Sequence, residues 1–312
     1  MSAMDAGELA LFAKSLWGAA STQTGAALDA ALAELGWAEA LEVEPEAAIG
    51  ALFEAQGGAL ATSSSLARVV GTALGTDSVD LVLPALGAAT PAGRRAGPQV
   101  EVDGVLLGPL PSGTVAVPVG DAVALVEATS LAVVPVHGID ADAHLLRVSG
   151  AVDGSPETSR GTWESAVRLV HLALGHELVG AARAMLELAR THALTREQFG
   201  QPIAAFQAVR HRLADAYIAI EAAASLLEGA WLDGSPLAAA MAKAQAGRAG
   251  RTTARHCQQV LAGIGFTTEH PHHRYVRRVL LLDQLFGSAR TLTRMLGEQL
   301  IADRRLPGLL PL

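Results

Sequence analysis

The spacing of apolar residues changes twice along this chain, and the two changes divide it into three parts. Up to Leu74, alanine and leucine dominate, as in residues 25–35 and 47–55, with a polar break at 62–65. Alanine favours helix without fixing a buried face, so residues 1–75 read as a helical region. From residue 76 the apolar positions come as short β-branched runs at 79–83, 100–107, 115–119, 123–126 and 131–136, punctuated by glycine and proline. Such runs predict strands, and Asp103-Gly104 stands where a hairpin turn would want residues tolerant of positive φ. Residues 76–150 are therefore expected to form a small β domain of roughly 70 residues, with a polar Gly/Ser/Pro-containing linker at 151–160.

Beyond Gly161 the period becomes helical and stays so. Trp163, Val167, Val170, Leu174, Leu178, Ala181, Met185 and Leu188 recur at steps of three and four, marking one face of a long amphipathic helix. Further helices are predicted at 203–229, 237–261 and 275–302. Pro202 suits a helix start, and Gly234-Ser235-Pro236 supplies a break. Four long helices with short connections predict an antiparallel four-helix bundle over 161–312. The fold class is α+β, mostly α.

Composition narrows the function. Half of the 312 residues are apolar and only 17% are charged, enough to bury a large core. The net charge of −8 leaves no basic face to neutralise phosphates, which excludes a general nucleic-acid binder. The single cysteine, Cys257, cannot form an internal disulfide and reads as a small buried apolar side chain. No apolar run approaches the roughly 18 to 20 residues of a membrane span, and the acidic start lacks a secretory signal, so a soluble cytoplasmic protein is expected.

The histidines His256, His270, His272 and His273 lack HExxH spacing and an accompanying acidic or thiol set, so they read as turn and interface residues rather than metal ligands. Gly263-Ile264-Gly265 follows a helix and is no dinucleotide fingerprint. No GxSxG elbow supports serine hydrolase chemistry. Arg196 offers a planar fork of donors suited to phosphate, and Phe199 a flat face, in a turn between two predicted helices.

Two strings carry more. THALTREQFGQPIAAFQAVRHRLAD, residues 191–215, and QVLAGIGFTTEHPHHRYVRR, residues 259–278, resemble the C-terminal helical domain of the flavin-dependent acyl-CoA dehydrogenases. The resemblance covers about 161–300, and the N-terminal half only loosely, through residues 32–37. It implies that Arg196, Gln198, Phe199 and Gln207 contact the ADP half of an FAD bound mainly to a neighbouring subunit. It also implies that Gln259, Ala262 and Gly263 form a second cofactor-contacting string. Ala262 stands where the family has glycine.

Dehydrogenation of an acyl thioester needs a carboxylate to take the α proton while the β hydrogen leaves as hydride to the flavin. The family's glutamate lies in a YEGT-like string, matched here by Leu285-Phe286-Gly287-Ser288, which puts Phe286 at the glutamate position. Other members carry it about 26 residues before the arginine matching Arg196, which is Val170 here. Neither side chain accepts a proton. Glu177 and Asp283 are the nearby carboxylates that could act as a relocated base. The TEPxxGSD-like stretch that cradles the flavin ring is also missing from the β region, which is shorter than in full-length relatives.

What is kept and what is lost together imply the non-catalytic subunit of a heteromeric acyl-CoA dehydrogenase, similar to the paired subunits used on steroid and other polycyclic CoA thioesters. Its FAD would be shared with a catalytic acyl-CoA dehydrogenase subunit, with an acyl-CoA substrate and an electron-transfer acceptor. One alternative is a self-sufficient homo-oligomeric enzyme using Glu177 or Asp283. Another is a flavin-free scaffold.

Overall fold

The computed structural model describes residues 5–76, 80–109, 111–138, 140–154 and 156–304. The N-terminal region consists of α1 (Ala6–Thr22), α2 (Ala26–Glu34), α3 (Trp37–Val43), α4 (Pro45–Ala59) and α5 (Ser65–Leu74). A capping box at Asp5 and Glu8 starts α1. The polar break at 62–65 is the α4–α5 turn, where Asp29 accepts hydrogen bonds from the Ser64 backbone and hydroxyl.

The β domain contains β1 (Leu83–Pro84), β2 (Gly93–Ala96), β3 (Gln99–Leu107), β4 (Thr114–Val119), β5 (Ala122–Glu127), β6 (Ala132–Pro135), β7 (Leu145–Asp153) and β8 (Glu157–Thr158). One antiparallel sheet runs β1-β3-β7-β6 with β2 also on β3, and a smaller one runs β4-β5-β8. Val100, Val102, Val115, Val117, Val148 and Val152 meet in a core between them, as alternation along half-buried strands requires. The second half of β3 is covered on both faces: Val105 belongs to the main core, and Leu106 to the β core.

Two expectations fail here. Asp103 and Gly104 lie inside β3, paired with Ser149 and Val148, and form no turn. Gly104 is there for space, since a Cβ on it would lie 2.3 Å from the Leu83 carbonyl oxygen. The hairpin turns are Gly97-Pro98 and Gly120-Asp121 instead. The stretch 151–160 is not a plain linker: residues 151–153 complete β7, and β8 pairs with β5. Of the expected strand at 79–83, Val79 lies outside the described residues and β1 covers only its end.

The C-terminal region opens on α6 (Trp163–Thr195), 33 residues capped by Thr162. A short hairpin, β9 (Glu197–Gln198) and β10 (Gln201–Pro202), leads to α7 (Gln207–Asp233), and α8 (Pro236–Leu261) packs against both α6 and α7. The fourth expected helix is two, α9 (His272–Gln284) and α10 (Ala289–Asp303), separated by a turn in which Phe286 and Gly287 have φ of 53° and 92°. Helix α6 crosses α4 at glycines: a Cβ on Gly57 would lie 2.0 Å from the Glu177 carbonyl oxygen, and one on Gly180 2.1 Å from that of Glu54. This crossing brings Glu177 beside the α4–α5 turn.

Candidate functional site

The end of α6, the start of α7, the end of α8 and the start of α9 share one end of the bundle, so both strings that carry the resemblance meet there. Arg196 caps α6, its N–H bonded to the His192 carbonyl and its own carbonyl to the Ile203 N–H. Its side chain is exposed and has no hydrogen bond or ion pair among the described residues. Phe199 and Gly200 form the two-residue turn between β9 and β10, with φ of 55° and 78°. Such a turn suits Asn-Gly or Gly-Gly. A phenylalanine held left-handed, with 93% of its surface exposed and only the edge of Phe206 beside it, serves no core.

Gln198, Gln207 and Gln259 are exposed around this turn and at the ends of α7 and α8. Ala262 ends α8 with φ 52° and ψ −132°, a conformation that favours glycine, which fits its standing where the family has one. Gly263 is exposed, and a Cβ there would meet no heavy atom within 4 Å. His192 and His270 link the two strings electrostatically. Burial and then Arg196 lower the pKa of His192, and burial, His192 and His273 lower that of His270. An unpaired guanidinium, three exposed amides, an outward aromatic ring and open backbone at Gly263 together fit the anionic and planar parts of the ADP half of FAD.

The expected base positions look different. Val170 and Phe286 are both fully buried, and Phe286 stacks on Trp163 at 5.8 Å between centroids. His171 donates from Nε2 to the Phe286 carbonyl oxygen at 3.0 Å, and burial holds its pKa down to about 3. Lys243, fully buried, donates from Nζ to the carbonyls of Asp283 (2.9 Å), Leu285 (2.7 Å) and Gly287. It ties off the end of α9 where the helix leaves those acceptors unsatisfied. Burial pushes its pKa down to about 7.

Of the two candidate carboxylates, Asp283 is committed to structure. One oxygen pairs with Arg251, and the other accepts the Ala289 N–H at 3.0 Å at the start of α10. Glu177 is different. Only one of its oxygens has a partner among the described residues, Arg278 Nη1 at 3.5 Å. Arg278 is itself held closely by Asp140 at 2.5 Å, and it donates to the Ala61 carbonyl at 2.9 Å. Because Asp140 already balances the guanidinium, Glu177 carries the burial penalty, and its pKa rises to about 7 against the opposing pull of Arg278. The Glu177 carboxyl lies on the wall of a cavity of about 240 Å³. Val170, Asp283 and Phe286 are not among its lining residues.

Sequence reasoning missed Arg278, Asp140 and Lys243. Arg278 lies in the HHRYVRR string, but nothing in that string says which arginine turns inward. Of the histidines read as turn and interface residues, His256 and His272 are buried, within α8 and at the start of α9, rather than in turns. Among the described residues no group of three or more His, Cys, Asp or Glu could hold a metal ion. No helix of the described residues is long and apolar enough to cross a membrane. Cys257 is buried, which pushes its thiol up to about 12.

Residues 166–301 match the family described as Acyl-CoA dehydrogenase, C-terminal domain. The chain is 39% identical over 126 residues to the Acyl-CoA dehydrogenase IpdE2 of Mycobacterium tuberculosis, a match covering 40% of each protein. It is 35% identical over 216 residues to the Acyl-CoA dehydrogenase FadE34 of the same organism, covering 66% of this chain and 30% of that one. The matched stretches thus span less than half the length of these relatives. Among solved structures, the ChsE4-ChsE5 complex from Mycobacterium tuberculosis matches with a TM-score of 0.75 at 22% identity, covering 99% of this chain and 100% of the matched one. A Tcur3481-Tcur3483 steroid ACAD variant matches with a TM-score of 0.75 at 24% identity, covering 96% and 98%. At these identities the structures speak for the fold alone, while the bundle carries the likeness in sequence. Residues 166–301 thus carry the sequence of an acyl-CoA dehydrogenase C-terminal domain, and nearly the whole chain shares the fold of these solved structures.

Proposed function

We propose that this chain is the non-catalytic subunit of a heteromeric, FAD-dependent acyl-CoA dehydrogenase. It grips the ADP half of a cofactor whose reactive ring belongs to a catalytic partner subunit. The observation that carries the reading is a contrast within one bundle. Arg196 and Phe199 face outward, the arginine side chain with no hydrogen bond or ion pair among the described residues, whereas Val170 and Phe286 are sealed in the core. When bound, FAD supplies a hydride acceptor. The residues of this chain would do the holding: Arg196 pairing with the pyrophosphate, Gln198, Gln207 and Gln259 offering amide hydrogen bonds, and Phe199 covering a flat face. Backbone at Ala262 and Gly263 would approach closely.

Proton abstraction from the acyl thioester then falls to the partner, since a buried phenylalanine and a buried valine hold no proton. The solved structures that share this fold, the ChsE4-ChsE5 complex and the Tcur3481-Tcur3483 steroid ACAD, support a paired assembly acting on a bulky acyl-CoA. Co-expression with a longer acyl-CoA dehydrogenase that keeps its glutamate tests this. The pair should retain flavin and oxidise an acyl-CoA, and Arg196→Ala in this chain should strip flavin from it. An unchanged flavin content would support a flavin-free scaffold instead.

A second reading keeps the chemistry in this chain, with Glu177 as base. It rests on the one carboxyl that faces a cavity with a pKa near neutrality. Flavin bleaching by an acyl-CoA in the purified chain alone, lost in Glu177→Gln, would establish it.

A further inference from the structure

The cavity beside Glu177 is closed in by three parts of the fold. Phe53 and Leu66 come from the N-terminal helices, Leu107 from β3, and Leu281, Leu282 and Leu285 from α9. Glu177 and Arg278 stand beside these apolar side chains, both more than nine-tenths buried, and Asp29, Ser63, Ser64, Asp80 and His144 are among the polar residues of the lining. The second oxygen of Glu177 has no hydrogen bond among the described residues, which leaves it for a ligand in the cavity that this residue lines. A volume of about 240 Å³ exceeds the ~150 Å³ apolar cavity that accepts benzene, so a six-membered ring with a substituent fits.

Charge selects among such molecules. The Arg278 guanidinium is balanced by Asp140, and Asp29 lies at the mouth beside Ser63 and Ser64. An incoming carboxylate or phosphate would meet the Glu177, Asp29 and Asp80 carboxyls, and the arginine of the lining is already paired. An ammonium reaching Glu177 would stand beside the Arg278 guanidinium, which lies 3.5 Å from the same carboxyl. A hydroxyl suits both protonation states of Glu177, donating to the carboxylate or accepting from the acid.

We propose that this cavity is a binding site of the chain for a compact, largely apolar molecule carrying one hydroxyl group, of the size of cyclohexanol, with the hydroxyl on Glu177 and the ring against Leu281, Leu282 and Leu285. The site does not depend on how the nucleotide end of the bundle is used.

The test is ligand-observed NMR on the full chain with cyclohexanol, cyclohexanecarboxylate and cyclohexylamine at matched concentrations. Cyclohexanol is expected to bind saturably and to raise the thermal midpoint, with the carboxylate and the amine at least about tenfold weaker. Leu282→Trp, which fills the space, and Glu177→Leu should each weaken cyclohexanol binding at least about tenfold, whereas Glu177→Gln, still donor and acceptor, should keep it. Absence of saturable binding, equal binding of the three probes, or full binding in a folded Leu282→Trp variant would overturn the proposal. The wild-type comparison of the three probes needs no variant and decides the matter should the substitutions fail to fold.

Discussion

His171 donates its Nε2 hydrogen to the carbonyl oxygen of Phe286 across 3.0 Å, linking the first half of α6 to the turn that separates α9 from α10. One partner sits next to Val170 and the other is Phe286 itself, so the bond runs between the two places where relatives of this fold are expected to carry a carboxylate. Burial keeps the imidazole neutral, with its pKa near 3. Its Nδ1 has no hydrogen-bond partner among the described residues. The region is a packed joint between helices, with Trp163 closing one side and Lys243 fastening the carbonyls behind it.

Phe286→Ala should therefore act on stability rather than on chemistry. Removing a fully buried ring stacked on Trp163 costs about 3 kcal/mol or more. Denaturant melts of the chain should show that loss. Turnover in a complex that still assembles with full flavin should persist, and its clean disappearance there would assign Phe286 a place at the reacting atoms.

Arg196→Ala should behave in the opposite way. The side chain is exposed and unpaired among the described residues, so the folding stability of the chain should change by no more than about 0.5 kcal/mol. Flavin affinity of the assembled pair should fall about tenfold or more, because a charged hydrogen bond to phosphate is worth about 1.5 to 3 kcal/mol. Arg196→Lys should recover only part of it, since the planar fork is lost.

The pH dependence of stability carries a signature of Glu177. Its pKa in the fold is about 7 against an ordinary 4.5, so between those values the folded chain keeps a proton that the unfolded chain has lost. Its contribution is present below pH 4.5, declines as pH rises, and is gone above pH 7, a swing on the order of 3 kcal/mol. The buried histidines His171 and His272 and the part-buried His176, lowered to about 3, 4 and 4, work the other way and favour the fold as pH rises toward 6.5. Subtracting the Glu177→Gln curve from wild type isolates the carboxyl. The difference should move in favour of the variant from pH 5 to 8, and a flat difference would mean that Glu177 is ionised throughout.

Ala262→Gly is expected to stabilise the chain. Alanine at φ 52° and ψ −132° is strained, and relief of that strain less the extra entropy of glycine leaves a gain of about 1 kcal/mol. A thermal midpoint that falls in the variant would show that the Ala262 methyl group has a packing role.

The helices were legible where one face is buried and the other solvated. In α6 the stripe of Val170, Leu174, Leu178, Ala181 and Met185 is fully buried, as its spacing required. The same helix also buries His171, Leu172, Ala173, Glu177 and Val179, because the bundle covers one side and α4 and α5 the other. A one-face reading does not see the second cover. The α9–α10 break was hidden by Leu285 and Phe286, which continue the helical period, although Gly287-Ser288 is a helix stop followed by a cap, and Ser288 does accept the Thr291 N–H. Asp103-Gly104 misled because Gly104 serves a neighbouring strand rather than a turn.

At the site, the exposed members of the two strings were legible because a short motif holds their order. The buried charges were not. Lys243 finds its acceptors about 40 residues away, and Arg278 finds Asp140 and Glu177 more than 100 residues away, distances over which a charge pattern along the sequence carries no pairing information.

The most direct test is the flavin content of the purified chain, alone and in complex with a longer acyl-CoA dehydrogenase subunit that keeps the glutamate. The chain alone should hold little flavin and oxidise no acyl-CoA, and the complex should carry half an equivalent of FAD per chain and do so. A full equivalent of FAD on the isolated chain, bleached by an acyl-CoA, would contradict the account.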